Sequence, residues 1–311
     1  MPVESMARSP FGFSDSIATC DKYGYLPADD CERMELGVVY KRYTPMESKQ
    51  QSVATERIFT KSEPLPPPVA TYTISARGKA PEAPVFAFIR NQYGNVPLRE
   101  IDSLFGFVEK STLYGGRAFL RRELSNRDVF QLNKAGIGVR LVMSNHYVER
   151  DEYIRNRPLL EKYHQPLNSV IATNDDLAMW VRQDFPKYKI DASVIKNIKT
   201  HKKIDETLKL YDSIVLPMRL NEDLDFLEKI EAKDRVTLFA NAGCALNCPS
   251  KLCYLSVSKM NKGNGGKLKC SQPIKMRKLE GMVDFPLQPY IDLGFRRFKL
   301  LRARPGSMTG Y

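Results

Sequence analysis

Residues 235–244 read RVTLFANAGC. Val236–Ala240 is a short run of β-branched, aliphatic and aromatic residues closed by Asn-Ala-Gly, so the segment reads as a buried strand ending on a cysteine. Similar runs recur at Val85–Ile89, Ile101–Val108, Ile137–Met143, Ser169–Thr173, Ile190–Val194, Ser213–Pro217 and Phe298–Leu301, although Ile101–Phe107 would pass equally well as helix. Between most of them lie helical-looking stretches: Arg117–Lys134, Glu149–Tyr163, Asp175–Phe185 and Glu222–Glu231. Eight strands alternating with helices predict an α/β protein, a (β/α)8 TIM-like barrel. A doubly wound open sheet is the alternative.

Upstream the pattern is absent. Residues 1–80 carry scattered Ser, Thr, Pro and charge, and include Glu63-Pro-Leu-Pro-Pro-Pro68, which reads as an extended linker. The expected organisation is an irregular N-terminal extension and Pro-rich linker over 1–80, an arm for a protein partner, followed by the barrel over 81–311. Cys20 and Cys31 lie in the extension and read as ordinary thiols. A chain of 311 residues, 42% hydrophobic, accommodates one barrel of roughly 250 residues plus such an extension. No apolar run approaches the ~20 residues of a membrane helix, and the N-terminus lacks a signal-peptide pattern. A cytoplasmic, reducing setting is expected, where clustered cysteines point to metal rather than disulfides.

Cys244, Cys248, Cys253 and Cys270 fall within Asn241–Pro273, a segment rich in Gly, Asn and Lys that forms a Cys-rich insertion after strand seven. Their spacing is Cys-x3-Cys-x4-Cys-x16-Cys. Iron–sulfur clusters take four thiolates with short local spacings. Structural zinc also takes four, but favours two knuckles of close pairs. One close pair followed by wider steps, with Pro249 directly after Cys248, favours an iron–sulfur cluster, and structural zinc is the alternative. The formal charge of +12 concentrates here: residues 251–311 hold eight Lys and five Arg against one Glu and two Asp, a net of +10. Such a surface attracts polyanions, of which nucleic acid is the commonest.

In a barrel of this class chemistry sits at the C-terminal ends of the strands. Those ends carry Tyr114-Gly115-Gly116-Arg117, Ser144-Asn145-His146, Asn174-Asp175-Asp176 and Asn241-Ala242-Gly243-Cys244. The two glycines would let backbone approach a ligand and present Arg117. Candidate substrate-binding residues are Arg117, Asn145, His146, Asn174 and Asn241, with Lys299 and Arg302 on the last strand for carboxylate or phosphate. Asn and Asp at such places also cap helices, the favoured reading for Asn174 and Asp175. Three histidines leave little scope for a histidine mechanism, and no Ser–His–Asp arrangement can be argued.

The run Cys253-Tyr-Leu-Ser256, followed by Gly266-Lys-Leu-Lys-Cys270-Ser-Gln272-Pro273, resembles the hallmark of the collagenase-like peptidase family. A second likeness is Asp292-Leu-Gly-Phe-Arg-Arg-Phe-Lys299-Leu-Leu-Arg302, similar to the family's final Lys-Ile-Glu-Gly-Arg strand. The resemblance spans Val85 to Arg304, with its specific motifs in the last seventy residues. It implies a barrel-like fold with a four-iron cluster on Cys244, Cys248, Cys253 and Cys270. It also implies hydroxylation of tRNA or ribosomal RNA bases with a prephenate-like co-substrate, or oxygen-independent hydroxylation in ubiquinone synthesis. Two departures mark a divergent branch: Ile274 stands where the family has another cysteine, and Leu300-Leu301 replaces Ile-Glu.

The leading expectation is thus an iron–sulfur enzyme hydroxylating a nucleobase in RNA or DNA. The alternatives are a non-catalytic metal-bearing barrel that binds nucleic acid or a partner, and a subunit of a small-molecule hydroxylase. A protease is the least favoured class.

Overall fold

A computed structural model describes residues 66–246, 248, 250–263, 266–271 and 283–301. The chain divides into two units, 1–63 and 64–311, and all the structure described here belongs to the second. Its eight strands are β1 Thr71–Ser75, β2 Ile101–Gly106, β3 Gly138–Leu141, β4 Ser169–Ala172, β5 Lys189–Ala192, β6 Ser213–Val215, β7 Val236–Phe239 and β8 Arg297–Leu300. All neighbours are parallel and the sheet closes through β1–β8, where Thr73 is level with Lys299. The (β/α)8 architecture is therefore the fold, and the open sheet is excluded.

Helices α1 Val85–Tyr93, α2 Asn126–Lys134, α3 Arg150–Lys162, α4 Asp175–Asp184, α5 His201–Leu208, α6 Leu224–Glu228, α7 Leu252–Asn261 and α8 Gln288–Asp292 follow the strands in order, two of them after β7. Local chemistry starts several of them. Ser125 and Asp128 form a reciprocal capping box at α2, and Thr200 accepts from the Lys203 N–H at α5. Among the described residues no helix is long and apolar enough to cross a membrane.

Two element assignments change. Val85–Ile89 is the first helix, not the first strand: it buries Val85, Phe88 and Ile89, a helical i, i+3, i+4 set. The true first strand is Thr71–Ser75, upstream of the boundary at residue 80. It has no apolar run because its inward positions are polar. The helical stretch assigned to Arg117–Lys134 shortens to α2, and Glu222–Glu231 to the five-residue α6, with Glu222 closing a 3₁₀ turn that begins at Met218.

Alternate strand residues point to the axis of a barrel or to its surrounding helices. Ile74, Leu104, Val139, Leu141, Val170, Ile190, Ile214, Leu238 and Phe298 form the buried shell under the helices. Much of the inward set is charged or hydroxylated. Arg140 donates to Asp191 at 2.8 Å, to Asp102 at 2.7 Å and to the Ser103 hydroxyl at 2.6 Å. Asp191 also accepts from Ser169 at 2.9 Å and from Ser213. Asp102 reaches this network because the β1–β2 register slips there, with Tyr72 opposite Ile101 but Thr73 opposite Ser103. Burial opposes the charge on Asp191, but Arg140, Arg297 and the two serine bonds outweigh it and hold its carboxyl below the usual range.

Candidate functional site

The C-terminal end of β7 is tied down by backbone and one amide. Ala240 donates to Lys299 O at 2.9 Å, Phe285 donates to Ala240 O at 3.0 Å, and Asn241 forms an antiparallel bridge with Asp284. The Asn241 side chain accepts from the Leu301 N–H at 2.8 Å, which locks the exits of β7 and β8 together. The chain then turns through Gly243 and Cys244 toward α7.

Helix α7 carries Cys253 and lies over the loops that follow β2 and β3. The Asn145 amide donates to Thr112 O at 2.8 Å, Tyr114 O at 3.1 Å and Ser258 O at 2.9 Å. One turn on, the Asn261 amide donates to Tyr114 O and Arg117 O and accepts from the Phe119 N–H. Lys262 completes the anchorage with an ion pair to Glu152 at 2.7 Å, both side chains buried. Ser256 then fixes the returning strand of chain, accepting from the Lys269 N–H at 3.1 Å. Since Ser256 is one turn from Cys253 and Lys269 precedes Cys270, this bond brings those two cysteines to one side.

All four cysteines are thiols, three partly buried and Cys270 exposed. Burial raises the Cys253 thiol to about 11, reinforced by the charges of Cys244, Cys248 and Cys270. Cys253 therefore lies within charge–charge reach of the other three. Cys248 behaves oppositely: burial works against its thiolate, but the Ser271 hydroxyl, the Lys251 and Ser250 N–H groups and the Lys251 charge prevail and lower its pKa. Lys251 holds a left-handed φ of 50° just before α7, which aims its N–H at the Cys248 sulfur at 3.3 Å. Among the described residues no three His, Cys, Asp or Glu side chains stand at metal-binding spacing, so the thiols are grouped but not closed to bonding distance. The donor set suits a thiophilic metal or cluster, whose positive charge would relieve the mutual repulsion of the thiolates.

The structure gives each remaining candidate a definite place. Arg117 forms a two-pronged pair with buried Glu123 and lies 4.1 Å from the centre of the Phe107 ring. The glycines before it serve the backbone: a Cβ on Gly115 would sit 2.1 Å from Ser144 O, and Gly116 has a φ of +79°. Asn174 caps α4 by accepting from the Leu177 N–H at 2.9 Å. Asn145 and Asn241 are buried and used as clamps. His146 is half-buried, its pKa lowered by burial, with Nδ1 3.2 Å from the Ser258 hydroxyl. Lys299 is buried inside the barrel, and Arg302 lies outside the described residues.

Sequence reasoning missed Ser258 and Asn261, which pin α7, and the Arg140–Asp191 network. The second left a signal: Arg140 is the one charge in GVRL, and Asp191 is a charge set between apolar Ile190 and Ala192 in KIDA.

Fold and sequence together define a closed eight-stranded parallel barrel whose seventh strand runs into a segment carrying four cysteines. In fold it is similar to a solved structure of the U32 peptidase Mk0906, with a TM-score of 0.52 and 14% identity over 84% of this chain and 98% of that one. No protein-family model and no curated protein matches the chain.

Proposed function

We propose that this chain is an iron–sulfur enzyme that hydroxylates a base in nucleic acid. The observation that carries the reading is the grouping of Cys244, Cys248 and Cys270 around Cys253, at the strand end where barrels of this class do their chemistry. These four residues would hold a 4Fe–4S cluster, which when bound supplies an iron centre able to exchange electrons or polarise an oxygen. The chain's own residues do the rest. Asn145, Asn261 and Lys262 hold α7 rigidly over the mouth. His146 stays neutral at pH 7 because burial lowers its pKa, so the imidazole is available to accept a proton beside the helix. The net charge of +10 over residues 251–311 draws in a polyanion.

The barrel is shared with a protein called a peptidase, but the geometry gives peptide hydrolysis no support. Ser258, the serine in contact with His146, is 0% exposed and its hydroxyl accepts from the His146 N–H, so it cannot meet a substrate.

One observation favours a second reading, a non-catalytic barrel whose metal is structural. Arg117, Asn145, Asn174 and Asn241 are all engaged in structural bonds, which leaves few polar groups to hold a substrate. Mass spectrometry of nucleosides from RNA and DNA of cells with and without the gene separates the two. A modified nucleoside that disappears with the gene supports the enzyme. Unchanged nucleosides, with steeply salt-dependent nucleic-acid binding by the purified protein, select the second reading.

A further inference from the structure

The barrel interior contains an amine that its ion-pair network leaves over. Lys299 is 8% exposed, and its Cα is level with Thr73 on β1 and Phe239 on β7. Its Nζ lies 4.2 Å from the centre of the Phe105 ring. Phe105 stands two residues beyond Ser103, the β2 partner of Thr73, so the side chain rises toward the C-terminal mouth. Beneath it, Asp191 is taken by Arg140, Ser169 and Ser213, with Arg297 at 4.0 Å. Among the described residues no carboxylate stands within ion-pair distance of the Lys299 amine. On the adjoining strand the buried Thr237 hydroxyl also lacks a hydrogen-bond partner among the described residues. Burial, with Arg140 adding repulsion and Asp191 only partly offsetting it, lowers the Lys299 pKa to about 8. A buried ammonium with no counter-ion is costly, and desolvated groups of this kind cluster at functional sites.

We propose that Lys299 captures a small aldehyde or ketone as a Schiff base inside the barrel. The amine lone pair attacks the carbonyl carbon and forms a C–N bond. The amine gives up two protons to the carbonyl oxygen, which departs as water, and a C=N bond remains; nothing is oxidised or reduced. The Phe105 ring supplies the apolar wall and a π-face for the protonated imine. The inference rests on the barrel interior alone, so it stands or falls independently of the thiol site.

The test uses the full-length protein, pyruvate as the probe carbonyl and sodium cyanoborohydride to trap the imine, with adducts mapped by peptide mass spectrometry. At neutral pH the carboxyethyl adduct on Lys299 is expected at about tenfold or more above the median exposed lysine, because a lysine desolvated beside another cation is the activated one. The excess should vanish in denaturant and in Lys299→Met, with far-UV circular dichroism confirming that the variant is folded. Lys299→Arg serves as a second variant that keeps the charge. Labelling of Lys299 at or below the level of exposed lysines in folded protein overturns the proposal. So does an excess that persists in denaturant.

Discussion

Arg140 and Lys299 are both buried inside the barrel, 5% and 8% exposed, and their surroundings are opposite. Arg140 meets two carboxylates and a serine hydroxyl, which engage all three nitrogens of its guanidinium. Lys299 meets an aromatic ring and, among the described residues, no carboxylate at bonding distance. The first region is a closed network in which every charge is answered. The second, toward the C-terminal mouth, keeps an amine with no carboxylate at ion-pair distance among the described residues and, beyond β7, the Cys253 thiol, whose ionisation burial and the charges of Cys244, Cys248 and Cys270 oppose. Where charges cancel, the residues serve the fold; where they do not, something from outside is expected to complete them.

That contrast can be broken from the network side first. Asp191→Asn leaves Arg140 buried without its main counter-charge and should cost about 3–5 kcal/mol of unfolding free energy, read from denaturant titration. Arg140→Met combined with Asp191→Leu should recover most of the loss, since removing both partners of a buried pair is tolerated better than removing one. A single variant as stable as the parent would mean that the network is not closed. The pH dependence has a definite sign. The folded-state pKa of Asp191 is depressed, so its contribution is present above the unfolded value of about 3.9 and is lost as pH falls through the folded value.

The clamp on α7 comes next in size. Asn145→Ala removes an amide that serves three backbone carbonyls, two of them buried, and should cost about 1–3 kcal/mol. Hydrogen exchange should speed up in α7 while β3 to β6 keep their protection; uniform loosening of the barrel would contradict the clamp.

Lys299→Met sharpens the comparison because its effect should run the other way. Removing an unpaired buried cation is expected to raise stability by about 0.5–2 kcal/mol at pH 7, a stability–function trade characteristic of sites. In the parent, the unfolded chain holds a proton on this lysine up to about 10.4. The folded chain releases it near 8. Stability should therefore rise with pH between those values in the parent, and that rise should be missing in the variant. Asn174→Ala is the smallest effect, about 1 kcal/mol for a lost helix cap, with nucleic-acid affinity unchanged.

The barrel was legible in the sequence because seven strands follow their apolar faces outward to the helices. β1 was hidden because TYTIS shows apolar side chains on one face only, while its Thr and Ser join the polar interior. Val85–Ile89 misled for the complementary reason: five apolar residues in a row do not reveal whether two or three of them face the core. At the mouth, Asn174 was read correctly as a cap from its position before α4. The clamp roles of Asn145, Ser258 and Asn261 were not readable, because they depend on where α7 lands after a long excursion. The thiol spacing was visible, and so was Lys299 as a polar residue in the last strand. Its lack of a partner is a property of the closed barrel and had no linear signature.

The claim that these four thiols hold an iron–sulfur cluster is tested most directly by metal analysis of anaerobically purified full-length protein, beside Cys253→Ser. The account predicts about four irons with matching acid-labile sulfide per chain and visible absorbance, all lost in the variant. One zinc per chain with no iron, or iron that survives loss of Cys253, would contradict it.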